Sequence, residues 1–209
     1  MNGFGRGLNR RNLLKVAGAA GLVTAAGLPL RARAATRGGH LVIAAPGASS
    51  GNTLDPRGYN SPYMAILGGT IHATLVEVEG PAAELRPGLA TGWEPSESGA
   101  VWTFDLVQGA TFHDGSPVRA ADVIASLRLH VAEGSRSNSR PIVGAIAEMT
   151  AEGDHRVIFR LRSPNYFFPA MLSNYNLGIM PEGADPAAGI GAGPYRVTRF
   201  EPGQTLEAA

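Results

Sequence analysis

The sequence predicts a mixed α/β lobe, and three observations carry that prediction. Two six-residue stretches, Val101–Leu106 and Arg156–Leu161, alternate strictly, so that Trp102, Phe104 and Leu106 share one face and Val157, Phe159 and Leu161 share another. Between them, Ala120, Val123, Ile124, Leu127 and Val131 recur at helical spacing. The connections do not repeat as βαβ units, which argues against a regular doubly wound sheet.

The 209 residues suffice for one domain with a real core or two small ones. Hydrophobic residues make up 44% and charged residues 17%, a globular balance rather than a disordered one. A net charge of +1 gives no field that points to nucleic acid. The absence of cysteine excludes disulfides, thiolate metal sites and cysteine nucleophiles. Abundant glycine (28) and proline (15) without a repeat imply many turns between short elements.

The N-terminus reads as an address. A basic segment ends at Lys15, an apolar run covers 16–30, and Ala32-Arg33-Ala34 is a small-x-small cleavage site. The run is shorter than the roughly 20 residues a membrane-spanning helix needs. Arg10-Arg11-Asn12-Leu13-Leu14-Lys15 resembles the twin-arginine export signal, with Asn9 where Ser or Thr is usual and Leu13 where Phe is commonest. The resemblance implies cleavage after Ala34, a twin-arginine translocase as export partner and a periplasmic protein in a bacterial envelope. Residues 1–34 are therefore set apart from the folded residues 35–209.

Along the folded part, residues 40–45 form a short apolar run ended by Pro46, an expected first strand. Residues 47–60 are rich in Gly, Ser, Asn, Asp and Pro and read as a loop. Ser61 can cap a helix that Pro62 opens and that runs to about Thr74, with a strand expected at 75–78. Glu152-Gly153-Asp154 reads as a hairpin turn between a strand near 146–150 and Arg156–Leu161. A short helix is expected within 165–172, a strand at 177–180 and a last strand from Pro194.

His113 and Asp114 stand side by side, which raises the question of a catalytic pair. Asp114-Gly115 is a turn dipeptide that Ser116-Pro117 extends, and adjacent residues on an extended chain point apart. Catalysis needs a third group and convergent geometry, so Asp114 is expected to accept hydrogen bonds within its turn. The five histidines show no HxH or HExxH spacing. The 189–194 stretch, Gly-Ile-Gly-Ala-Gly-Pro, lacks phosphate-loop spacing, and Pro194 removes an N–H; it reads as a tight turn. Asn60, Ser61 and Tyr63 stand at a loop-to-helix junction, where free N–H groups and polar side chains suit either capping or ligand contact. Asn174 and Tyr175 are a second pair of polar candidates. Asn and Tyr suit a wet, adaptable site.

Several blocks together resemble the peptide/nickel class (family 5) of extracellular solute-binding proteins of ABC importers. They are Leu89-Ala90-Thr91-Gly92-Trp93-Glu94, Trp102-Thr103-Phe104-Asp105-Leu106, Thr111-Phe112-His113-Asp114-Gly115-Ser116-Pro117, Ala120-Ala121-Asp122-Val123, and Gly191-Ala192-Gly193-Pro194-Tyr195. The resemblance implies the first lobe of a two-lobed, class II periplasmic-binding-protein-like fold, which this chain is expected to contain in truncated form. It implies a non-enzymatic protein that binds peptides or similar small solutes and hands them to a membrane permease; no cofactor or metal is expected, since the sequence carries no cysteine, nucleotide motif or metal-ligand histidine spacing. It also places Asn60, Ser61 and Tyr63 toward the ligand cleft. The alternative from another class is an exported cofactor-dependent enzyme, which the absence of cysteine and of nucleotide motifs disfavours. One departure stands out: Arg119 occupies the helix-cap position where Thr or Ser is common, and a guanidinium cannot accept a backbone N–H. Helix entry is expected to weaken unless Asp122 compensates.

Overall fold

A computed structural model describes residues 38–209 apart from Glu97. Arg10, Arg11 and the cleavage position after Ala34 lie outside the described residues. The chain divides into two units, Met1–Ile43 and Ala44–Ala209. In the first, the described residues 38–43 are coil, and Leu41, Val42 and Ile43 are exposed. The strand expected at 40–45 is absent, because an apolar run becomes a strand only where a ladder exists to take its backbone groups.

In Ala44–Ala209 the elements run α1 (Pro62–Ile71), β1 (Val76–Glu79), β2 (Glu84–Pro87), β3 (Ala90–Pro95), β4 (Val101–Leu106), α2 (Ala120–Val131), α3 (Arg140–Gly144), β5 (Ile146–Ala151), β6 (Arg156–Leu161), α4 (Phe168–Met171), β7 (Val197–Glu201) and β8 (Thr205–Ala208). Short 3₁₀ turns stand at Pro56–Gly58, Tyr175–Leu177 and Pro186–Ala188. β1 with β2 and β7 with β8 are two-stranded ribbons, and β3-β4-β6-β5 is an antiparallel sheet of four strands.

The alternating residues of the sequence become one wall. Trp102 pairs opposite Phe159 and Phe104 opposite Val157, all four buried. Phe104, Phe159 and Phe168 meet edge to face, with Phe159 5.4 Å from Phe104 and 5.5 Å from Phe168. Such ring pairs add about 0.5–1.5 kcal/mol each beyond their buried area. α2 joins the same core through Val123, Ile124 and Leu127. Those burials are worth roughly 1.5–3 kcal/mol each before ordering entropy.

The start of α2 shows how the unusual Arg119 is tolerated. The Asp122 carboxylate accepts the Arg119 backbone N–H at 2.7 Å and, with its other oxygen, the Glu182 N–H at 2.7 Å. Asp122 therefore compensates in part, by holding the residue 119 backbone while no side chain accepts a first-turn N–H, and it also ties residue 182 to the helix.

The strand expected at 177–180 is replaced by the Tyr175–Leu177 turn and buried coil. Its backbone groups find partners one at a time. Ile179 donates to the Ala73 carbonyl at 3.0 Å. Met180 donates to the Ser126 hydroxyl at 2.9 Å and its carbonyl receives that hydroxyl's hydrogen at 3.2 Å. β2, β3, α3 and β8 carried no sequence expectation of their own.

Candidate functional site

Two polar stretches far apart in sequence meet beside α1. The first begins at Asp55, whose carboxylate accepts the Arg57 N–H at 2.9 Å and the Arg57 guanidinium at 2.6 Å. Burial works to raise this carboxyl, yet Arg57 holds it below the usual range. Tyr59 is buried and donates its hydroxyl to the Leu54 carbonyl at 2.9 Å. Asn60 is exposed. Ser61 caps α1: its hydroxyl accepts the Met64 N–H at 3.3 Å and donates to the Gly47 carbonyl at 3.0 Å. Tyr63 is half-buried, burial raises its pKa, and its hydroxyl is enclosed without a hydrogen-bond partner.

The second stretch is the turn at Asn174–Asn176. The Asn174 side-chain oxygen accepts the Asn176 backbone N–H at 3.0 Å, and the Ser139 hydroxyl reaches the same oxygen at 3.5 Å. Tyr175 is 36% exposed, whereas Asn176 is only 2% exposed. The Asn176 side-chain nitrogen donates to the carbonyls of Pro56 and Tyr59, each at 2.8 Å. The structure thus joins the neighbourhoods of Asn60 and of Asn174 and Tyr175, through a residue that sequence reasoning did not single out. Its partners are backbone carbonyls 120 and 117 positions away, so no local pattern marks it.

A cavity of about 460 Å³ lies near the other end of α1, bounded by Gly68, His72, Glu77, Tyr175, Gly193 and Pro194. Of the five candidate residues, Tyr175 lines it; Asn60, Ser61, Tyr63 and Asn174 do not. His72 is buried beside it, and burial pushes its pKa down to about 4 against the opposing pull of the Leu54 and Ile179 backbones. A second cavity of about 560 Å³, at the ends of β4 and β6, is lined by charges that pair with one another: Arg156 meets Asp105 at 2.7 Å and Glu152 at 3.0 Å. Paired exposed ions of this kind offer little to a ligand.

His113 and Asp114 turn to different partners. The Asp114 carboxylate accepts the Ser116 N–H at 2.9 Å and the Ser116 hydroxyl at 2.7 Å, the turn contacts expected of it. The His113 ring faces elsewhere. Its Nδ1 accepts the Gly191 N–H at 3.4 Å and its Nε2 lies 3.0 Å from the Gly193 carbonyl. Accepting at Nδ1 leaves the proton on Nε2, which donates to Gly193. The two blocks around residues 113 and 193 are thereby fastened together. His130 is also buried and held down to about pKa 4 by burial; its Nδ1 lies 2.6 Å from the Ser137 hydroxyl.

The family description "Bacterial extracellular solute-binding proteins, family 5 Middle" matches residues 84–208. A probable peptide ABC transporter periplasmic-binding protein, y4tO of Sinorhizobium fredii, is 27% identical over 196 residues, covering 90% of this chain and 36% of its own length. Among solved structures, the binding protein AgaA of A. tumefaciens R10, in complex with agropinic acid, superposes with a TM-score of 0.69 at 27% identity, over 75% of this chain and 33% of that one. The nickel ABC transporter structure from Bacillus halodurans gives 0.66 at 28% identity, over 78% and 33%. The chain spans about a third of the length of these relatives.

Proposed function

The chain belongs to the bacterial extracellular solute-binding proteins of family 5, and from that premise we propose that it serves as part of the binding component of an ABC importer for peptides. In this reading the described residues supply one wall of a solute cleft, closure over the solute follows, and a membrane permease receives it. The observation that carries the reading is the junction of the Asn60 stretch with the Asn174–Tyr175 stretch at Asn176, a buried support that ties together two stretches each carrying an exposed polar residue. Asn60 and Tyr175 are the side chains left open to solvent there, while Ser61 and the Asn174 oxygen are occupied by capping and turn bonds. Export through the twin-arginine route, with removal of residues 1–34, completes the proposal and would place the protein in the periplasm.

Peptide is favoured as solute class by the name of the y4tO relative, which matches most of this chain. Agropinic acid and nickel are the alternatives named for the two structures. Calorimetric titration with trialanine and, separately, with a nickel(II)–histidine complex decides between them. Saturable heat with trialanine alone is expected from a protein that supplies both walls of the cleft, and no measurable heat from the 209-residue chain by itself; saturable heat with the nickel complex alone overturns the peptide reading.

A further inference from the structure

The Asn176 amide nitrogen has two hydrogens, and both are committed: one to the Pro56 carbonyl and one to the Tyr59 carbonyl. Its backbone N–H is committed to the Asn174 side chain. Ser139, just before α3, braces that side chain, and the Ser139 N–H is received by the Ser137 hydroxyl at 3.1 Å. The Ser137 hydroxyl in turn shares a hydrogen bond with His130 Nδ1 at 2.6 Å. A continuous set of hydrogen bonds therefore runs from the end of α2 to the carbonyl of Tyr59, the residue next to Asn60. Tyr59, Ser137, Ser139, His130 and Asn176 are buried, whereas Asn60 and Tyr175 are exposed. Buried groups do the holding and their exposed neighbours are held.

We propose that Asn176 is a positioning residue for the solute wall: it sets the spacing between the Asn60 stretch and Tyr175 without meeting the solute itself. This rests on the reading of Asn60 and Tyr175 as solute-facing. The chemistry is specific to an amide. An aspartate of the same shape has no hydrogens for the two carbonyls and sets a carboxylate against two carbonyl oxygens. The Pro56–Gly58 turn would then have only the Asp55 cap and its own backbone bonds to place it.

The test is hydrogen exchange by mass spectrometry on the 209-residue chain, comparing wild type with Asn176→Asp. Exchange in both 54–61 and 172–178 is expected to accelerate at least tenfold, while 101–106 and 156–161 stay within twofold. Acceleration in 172–178 alone, or equally everywhere, overturns the proposal, since a merely stabilising residue acts on one segment or on all. Should Asn176→Asp not fold, Ser139→Ala, which loosens Asn174 from the other side, is expected to accelerate the same two segments more mildly; a change confined to 136–142 overturns it. Trialanine added to a protein that carries this chain together with the facing wall of the cleft is expected to slow both segments together. If it slows neither while the variant loosens both, the peptide reading fails and the bridging role of Asn176 stands.

Discussion

His113 donates from Nε2 to the carbonyl of Gly193 at 3.0 Å, across 80 positions of sequence. The same ring accepts from Gly191, and the His113 backbone N–H donates to the Gly191 carbonyl at 2.9 Å. Gly193 is held from its other side by the Ile71 carbonyl, which accepts its N–H at 2.8 Å. The histidine is thus a clasp on the glycine loop.

His113→Ala is expected to lower stability by about 1–3 kcal/mol, because it strips partners from a half-buried loop. Asp114→Ala should cost less, since Asp114 is exposed and water can replace it. Urea unfolding of the two variants checks it, and a larger loss for Asp114→Ala would refute the clasp.

Acid should weaken the fold before its carboxylates protonate. His72 and His130 titrate near 6.5 when unfolded and are pushed by burial to about 4 when folded. Between those values the unfolded chain binds protons that the folded chain refuses, so stability falls as pH falls from about 6.5 to about 4. Above 6.5 both states are neutral at these sites and the contribution is flat. The loss is roughly 2–4 kcal/mol per histidine over the window. Urea midpoints measured from pH 7.5 to pH 4.5 test this, and a flat profile would contradict it.

Gly191 cannot carry a side chain. A Cβ there would run into the Ile71 carbonyl and stand 2.6 Å from His72 Nδ1. Gly191→Ala is expected to destabilise by roughly 1–3 kcal/mol or more, as overpacking does. Gly144→Ala is the control: it lies in α3 with no neighbour near a Cβ and no left-handed backbone. It should be neutral or stabilising by about 0.4–1 kcal/mol. Similar melting temperatures for the two variants would remove the close approach as an explanation for the glycine.

Arg119→Thr should stabilise the chain by about 0.5–1 kcal/mol. The hydroxyl can accept an N–H of the first turn of α2, while Asp122 keeps its bond to the residue 119 backbone. The change also removes the Arg119–Asp154 contact at 3.6 Å, an exposed pair of small worth. A fall in the thermal midpoint would show that the guanidinium matters more than the missing cap.

Export is checked separately. N-terminal sequencing of the periplasmic protein should begin at Ala35, and replacing Arg10 and Arg11 by Lys should keep the precursor in the cytoplasm. An intact Met1 on a periplasmic form would refute cleavage after Ala34.

Elements whose physics is local were legible in the sequence by itself. The alternation of Val101–Leu106 and Arg156–Leu161, the helical spacing of Ala120–Val131 and the turn at Asp114 each depend on a neighbour within a few residues, and each stands where it was expected. The family was legible too, because its blocks are local runs. Tertiary structure decided the rest. Whether residues 40–45 and 177–180 become strands depends on partners elsewhere in the chain, and neither stretch is one. Ser61 caps α1, and the Gly47 carbonyl that takes its hydroxyl hydrogen stands 14 positions away. The role of His113 depends on Gly193, and that of Asn176 on Pro56 and Tyr59. A hydrogen bond to a backbone carbonyl leaves no mark on the identity of the residue that owns the carbonyl. Such contacts therefore appear only once the chain has folded.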